Sequence, residues 1–213
     1  MDFMRQEDII PSNVIQNSAI TLIGAGGIGS PTAMALAKMG IGIIHIFDGD
    51  IIEPHNLPNQ FYTIEDNGEF KVNALRRNIM KYAMDCHVFP HDEHFNGQKL
   101  EGIVISAVDN MDTRSKIFSE VKKQKPNLYI EARMGAELMM IYSVNPSEDT
   151  EWYEKTLYTD EDAMELPCTA RAIIYNVFVI GGLIASQVKK ALMKQELTKE
   201  IIFDLVTMTL LVD

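Results

Sequence analysis

Cysteine is scarce: the chain has two in 213 residues, Cys86 and Cys168, and no C-x-x-C pair. That excludes a disulfide scaffold and a four-cysteine zinc site within one chain, so no structural zinc is expected. Basic residues are also few, 19 Lys and Arg against 30 Asp and Glu, for a formal charge of −11. A chain this acidic is poorly suited to gripping a phosphate backbone, whose affinity comes largely from Lys and Arg, so no nucleic acid is expected as main partner. Long apolar runs are missing too. The longest stretch, Ala172 to Ser186, holds Asn176, Gly181 and Gly182, and a bilayer takes roughly 20 residues to span. The N-terminus carries Asp2, Glu7 and Asp8, unlike a signal peptide. These absences predict a soluble, cytoplasmic protein without a membrane partner. No Gly/Ser linker, charge block or internal repeat divides the chain, so one domain over residues 1–213 is expected.

What is present alternates between strand and helix. Ala19–Ile23 and Ile41–Phe47 are short β-branched runs that read as buried strands. Between them Pro31, Ala33, Met34, Leu36 and Ala37 continue a helix to Gly40. Glu69–Ala83 has near-helical apolar spacing, Cys86–Phe89 and Ile103–Val108 read as strands, and Met111–Lys123 reads as a helix. Leu128–Met134 and Leu138–Val144 follow as strands. An acidic, irregular stretch, Asn145–Pro167, holds one short helix near Trp152–Leu157. A long helix, Thr169–Met193, and a hairpin, Glu200–Leu211, complete the chain. The pattern predicts an α/β, Rossmann-like, mostly parallel sheet flanked by helices, with antiparallel C-terminal strands. Ligands of such sheets bind beyond the carboxyl ends of the strands.

The first such end carries Gly24-Ala-Gly26-Gly27-Ile-Gly29, a G-x-G-x-x-G between a strand and a helix. Its glycines let the backbone turn tightly and approach a phosphate at the positive helix N-terminus. Asp48, at the end of the second strand, is placed to accept hydrogen bonds from ribose hydroxyls. The motif alone fits ATP or NAD. Asp109 could cap the helix beginning at Asn110, with Asp112 at capping-box spacing. Lys71 could be a solvated helix lysine, and Asp50 could serve only to order its loop. Cys86, His87, His91 and His94 are close in sequence and read as a strand end running into a polar loop.

The string Asp48-Gly-Asp50-Ile-Ile-Glu53-Pro-His-Asn56-Leu57-Pro-Asn59-Gln60 resembles the ThiF/MoeB/HesA family of adenylating enzymes, the bacterial relatives of ubiquitin-activating enzymes. Lys71, the Asp109-Asn110-Met-Asp-Thr113-Arg114 element and Arg5-Gln6 match further family motifs in order. The resemblance implies ATP and Mg²⁺ as cofactors. Asp48 would hold the ribose, with Asn56, Gln60 and Lys71 around the triphosphate, and Asp109 would help hold Mg²⁺. Arg5 would reach phosphate in a two-fold-related copy, implying a homodimer. The implied activity is adenylation of the C-terminal carboxylate of a small ubiquitin-like or sulfur-carrier protein. Relatives that act on peptides or on modified tRNA keep the same first step. Cys168, before the long helix, matches a cysteine that in some relatives receives the activated carrier. Asn59 stands where the family has arginine, so Arg5 or Arg114 would have to compensate, or turnover would be weaker. Two other readings stay open: a catalytically degenerate nucleotide-binding subunit, and an NAD-dependent oxidoreductase.

Overall fold

In the computed structural model, residues 1–158 and 173–213 are described. Five parallel strands come first: β1 (Ala19–Ile23), β2 (Ile43–Phe47), β3 (His87–His91), β4 (Ile103–Ser106) and β5 (Leu128–Gly135). Antiparallel β6 (Leu138–Val144), β7 (Glu200–Asp204) and β8 (Thr209–Val212) extend the sheet, in the order β3-β2-β1-β4-β5-β6-β7-β8. The helices are α1 (Ser12–Gln16), α2 (Gly29–Met39), α3 (Lys71–Met80), α4 (Met111–Gln124), α5 (Glu151–Glu154) and α6 (Ile174–Leu192). This is the mixed, mostly parallel sheet that the strand–helix alternation predicts.

Two cores flank the sheet. One face buries Leu22, Ile44 and Ile46 beneath α2, α3 and α6. The other buries Ile23, Val104 and Tyr129 beneath α4 and α5. Alternate residues of β1 and β4 therefore serve opposite cores, and these central strands are apolar but for the buried hydroxyls of Thr21 and Ser106, as buried parallel strands are. Helix α6 lies against α2 where Gly181 leaves a Cβ-sized space 3.4 Å from the Thr32 amide. Its stripe is split: Val177, Ile184 and Val188 are buried, while Ile174 and Phe178 face outward.

Several boundaries shift for identifiable reasons. Helix α3 starts at Lys71 rather than Glu69, because Phe70 is extended (ψ 132°) and bridges to Ile51. Strand β3 runs on to His91 through Pro90, which an edge strand tolerates since one side of its ladder is unpaired. Strand β4 stops at Ser106, because Ala107 and Val108 already turn toward the glycine loop. The last long helix begins at Ile174 rather than at Thr169, because Ile173 is extended (ψ 152°) and caps it. Thr169 and Cys168 themselves lie outside the described residues.

On β2, His45 Nδ1 lies 3.2 Å from His91 Nε2. Burial lowers the His45 pKa; Glu101 opposes this, and His91 and Lys99 reinforce it. The unfolded chain takes up a proton at His45 near the ordinary 6.5, the folded chain only at lower pH. Below that value the unfolded state binds more protons, so stability falls as pH falls. In urea titrations from pH 7.5 to 5, the unfolding midpoint should drop, and His45→Phe should flatten the drop. An equally steep profile in the variant would assign the dependence to other groups.

Candidate nucleotide site

The turn after β1 rests on two glycines that the fold itself requires. Gly24 has φ +98°, and a Cβ there would sit 2.6 Å from the Ala107 carbonyl oxygen. At Gly29 a Cβ would come within 1.9 Å of the Gly24 carbonyl oxygen. Gly26 and Gly27 differ. Neither has positive φ, a Cβ on Gly26 would meet nothing nearer than Gln60 Nε2 at 4.0 Å, and one on Gly27 would make ordinary contacts from 3.5 Å. Their missing side chains serve space in the crevice. In α2 itself Ser30 N donates to the Gly26 carbonyl and Thr32 N to the Ile28 carbonyl, and Pro31 has no N–H. The amides left to face an anion are therefore those of the Gly26–Gly29 turn.

Asp48 is buried and bound to this loop. One carboxylate oxygen accepts from Ala25 N at 2.7 Å and the other from Asp50 N at 2.8 Å. The segment after Asn59 closes over the same turn: Phe61 N donates to Ser30 Oγ at 3.0 Å, and Tyr62 OH to the Ala25 carbonyl at 2.6 Å. Burial, with the charge of Asp48 adding to it, pushes the Tyr62 pKa well above its usual value, so it stays a donor. Between these contacts sits Gln60, whose Oε1 is buried and unpartnered among the described residues. A cavity of about 450 Å³ between α2, α3 and the start of α6 shares Gln60 with the crevice, and Lys38, Tyr82 and Phe178 also line it.

Lys71 is not a solvated helix lysine. Its side chain is 9% exposed, and Asp50 holds it at two points, Nζ to the carboxylate at 2.7 Å and backbone N to the Asp50 carbonyl at 3.0 Å. Asp50 thus does more than order its own loop. Asn56 is buried, and its amide oxygen accepts from Glu53 N at 2.9 Å, a local capping task.

Asp109 follows β4 and is not the helix cap. Asn110 caps α4, its side chain accepting from Thr113 N at 2.8 Å. Asp109 is left exposed, with its carboxylate 3.4 Å from Asn110 Nδ2. The glycine loop, Asp48, Asp50 and Lys71 are therefore joined by direct contacts, and Gln60 faces Gly26 across open space. Asp109 lies two residues beyond the Ala107 carbonyl that packs on Gly24.

The two arginines considered as replacements for the cation missing at Asn59 lie elsewhere. Arg114 is buried: its Nε is 2.8 Å from Glu131, and Nη2 donates to the Val108 carbonyl at 2.6 Å. It is committed within the core and is not available to a phosphate. Arg5 is exposed near the far end of α2, where its neighbour Gln6 donates to the Met39 carbonyl at 2.5 Å. Eleven helical residues at 1.5 Å each put that end about 15 Å from Gly29, so Arg5 does not join its own glycine loop.

The sequence did not point to Tyr62, Glu131 or a role for Arg133. Glu131 is fully buried in β5 between Arg114 and Arg133, with Arg133 Nη2 at 2.7 Å. A Glu and an Arg two residues apart in a largely apolar strand were the only signal. Among the described residues no three His, Cys, Asp or Glu are grouped to hold a metal, and no helix is long and apolar enough to cross a membrane.

With this arrangement in place, the comparisons with known proteins fall into order. The ThiF family model matches residues 5–211, so the chain belongs to the ThiF family. It is 30% identical over 121 residues to ubiquitin-like modifier-activating enzyme 5 of Dictyostelium discoideum, covering 48% of this chain and 32% of that protein. It is 41% identical over 75 residues to a probable molybdopterin-synthase adenylyltransferase of Porphyra purpurea, covering 35% and 20%. The chain thus spans a third or less of the length of these curated relatives. In fold it matches E. coli MccB solved with ATP (TM-score 0.80, 20% identity, 95% of this chain and 65% of MccB) and PaaA (TM-score 0.79, 19% identity, 100% and 68%).

The two kinds of glycine should separate on substitution. Gly29→Ala should fail to fold stably, since its Cβ would clash with backbone. Gly26→Ala should melt like wild type yet lose the stabilisation by Mg-ATP, which at about 100 times Kd is roughly 2.7 kcal/mol. A Gly26→Ala protein still stabilised by ATP would remove the nucleotide from this turn.

Proposed function

We propose that the chain acts as one adenylation domain. It binds ATP at the Gly24–Gly29 turn and joins the C-terminal carboxylate of a small ubiquitin-like or sulfur-carrier protein to AMP. The observation that carries this reading is Gly26, a glycine that neither backbone conformation nor packing demands, facing Gln60 across open space. Family membership and the names of the relatives support it.

In the reaction a carboxylate oxygen attacks the α-phosphorus and pyrophosphate leaves, giving an acyl-adenylate. Catalysis is then positioning and neutralisation of charge. Asp48 accepts from the ribose, Gln60 and the amides of the Gly26–Gly29 turn border the phosphates, and Lys71 turns its remaining N–H groups toward the leaving pyrophosphate. Asp109, exposed and in no cluster of three metal-binding side chains among the described residues, suits Mg²⁺, which keeps most of its ligands as water and phosphate oxygens. Bound there, Mg²⁺ would neutralise phosphate charge.

The charge balance argues for a second copy. Among the described residues, Asp48, Asp50 and Asp109 stand around the glycine turn with Lys71, a cation itself paired with Asp50. A polyanionic substrate needs more positive charge than this, and Arg114 is committed elsewhere. The exposed Arg5, remote from its own turn, suits the site of a two-fold partner. The outward Phe178 and Tyr82 give the α2–α6 flank an apolar surface for the second copy. A degenerate subunit is the second reading, favoured by the shortage of cations. Pyrophosphate–ATP exchange in the purified protein, supplied in turn with small ubiquitin-like and sulfur-carrier proteins that end in a free carboxylate, decides between them.

Complementation tests the shared site. Arg5→Ala and Asp109→Ala should each abolish exchange activity. Mixed one to one and allowed to reassort, they should recover about a quarter of it, because half the dimers pair the two variants and each of those restores one site. No recovery would place Arg5 outside the partner's site.

We also propose that Cys168 accepts the activated carrier. Cys86 is buried, and burial pushes its thiol up to about 12, so it stays protonated and poorly nucleophilic. Iodoacetamide should therefore spare Cys86 in the native protein and label Cys168. Native labelling at Cys86, or a carrier adduct that survives Cys168→Ala, would end this assignment.

A further inference from the structure

The buried Glu131 cluster has no part in the chemistry above, yet it joins the segment that leads into Asp109 to the segment that begins with α5. Glu131 lies opposite Ser106 of β4, near the carboxyl end of the parallel strands. Arg114 Nε stands 2.8 Å from one carboxylate oxygen. Arg133 Nε lies 2.8 and 3.1 Å from the two oxygens, and its Nη2 is 2.7 Å from Oε2. Tyr153 OH, also buried, donates to Oε2 at 3.3 Å. Burial alone would lower the Arg133 pKa, but the hydrogen bond and charge of Glu131 outweigh it and hold Arg133 above its usual value.

Each arginine carries the carboxylate's hold to a different place. Arg114 Nη2 donates to the Val108 carbonyl at 2.6 Å, gripping the peptide directly before Asp109. Arg133 Nη1 and Nη2 donate to the carbonyl and hydroxyl of Thr156 at 3.0 and 2.9 Å, gripping the segment that begins with α5. Asp109 is exposed, so the course of its backbone decides where its carboxylate stands. Glu131 is the common anchor of both grips.

Stability alone does not explain such a group. Buried Arg–Glu–Arg clusters replaced by apolar residues of similar size often leave a fold equally or more stable, whereas removing one member leaves an unpaired buried charge. We infer that Glu131 is a positioning residue for adenylation: through Arg114 it sets Asp109, and through Arg133 it sets residues 151–158. This rests on the adenylation reading and adds to it a residue that never touches substrate. In Glu131→Gln the two guanidiniums would face each other without a counter-charge, and both grips would loosen together.

The test compares wild type, Glu131→Gln and the apolar triple variant Arg114→Met/Glu131→Leu/Arg133→Met. Melting temperature, pyrophosphate–ATP exchange as a function of Mg²⁺ in the presence of a panel of small ubiquitin-like and sulfur-carrier proteins with free C-terminal carboxylates, and amide hydrogen exchange without ligand are read for each. The triple variant should melt at or above the wild-type temperature. It should lose exchange activity by on the order of a hundredfold, the cost of a misplacement of about 1 Å. Its half-saturating Mg²⁺ should rise, and the amides of residues 108–111 and 153–157 should exchange faster. A triple variant with wild-type activity and Mg²⁺ dependence overturns the proposal and leaves the cluster a packing role. An inactive wild type would instead sink the adenylation reading. Hydrogen exchange then still decides the inference, because unchanged protection at residues 108–111 in the folded triple variant overturns it.

Discussion

The close contact between Gly29 and the Gly24 carbonyl governs how the rest of the site is built. A Cβ would sit 1.9 Å from that oxygen, so the chain can enter α2 this abruptly only with glycine there. The abrupt entry bonds Ser30 N and Thr32 N back to the Gly26 and Ile28 carbonyls and leaves the amides of the Gly26–Gly29 turn for the crevice. It also sets the line of α2, against which α6 packs through Gly181. Asp48 completes the turn from the neighbouring strand by accepting from Ala25 N. The turn is thus a junction of β1, β2, β4 and α2, and a ligand bound there senses all four.

Electrostatics divides the remaining residues into two groups. Near the turn the protein keeps its charges close to neutral or negative, with Lys71 held by Asp50. Deeper, the chain places two guanidiniums on one buried carboxylate and uses them on backbone oxygens. Arginine suits that second task, since its fork can meet a carboxylate and a carbonyl at once. Arg114 shows why a motif alone is ambiguous: from its spacing it could have faced a phosphate, and the fold turned it inward.

Much of the fold was legible in the residues. Apolar β-branched runs stopped by glycine or aspartate marked β1 and β2, and Leu138–Val144 was read to the residue as β6. Boundaries slipped where tertiary contacts overrode local pattern, as at Phe70, whose bridge to Ile51 delays α3. The short α1 and the continuation of β3 through Pro90 carried no periodic signal. At the site, the glycine turn, Asp48 and Lys71 could be read because each follows a strand or opens a helix. Tyr62 could not, since its role is a single hydrogen bond to a residue distant in sequence.

The sequence alone determined the class of the protein: strand–helix alternation, a glycine turn after the first strand, and ordered motifs shared with the ThiF family. Those are local signals, written as spacing and as residue type. Only the tertiary structure decided which charges meet. It paired Lys71 with Asp50, gave the α4 cap to Asn110, carried Arg5 to the far end of α2, and buried Glu131 between two arginines. Partners brought together across a sheet leave no periodic trace along the chain, because their distance in sequence is set by the connections between them and not by their chemistry.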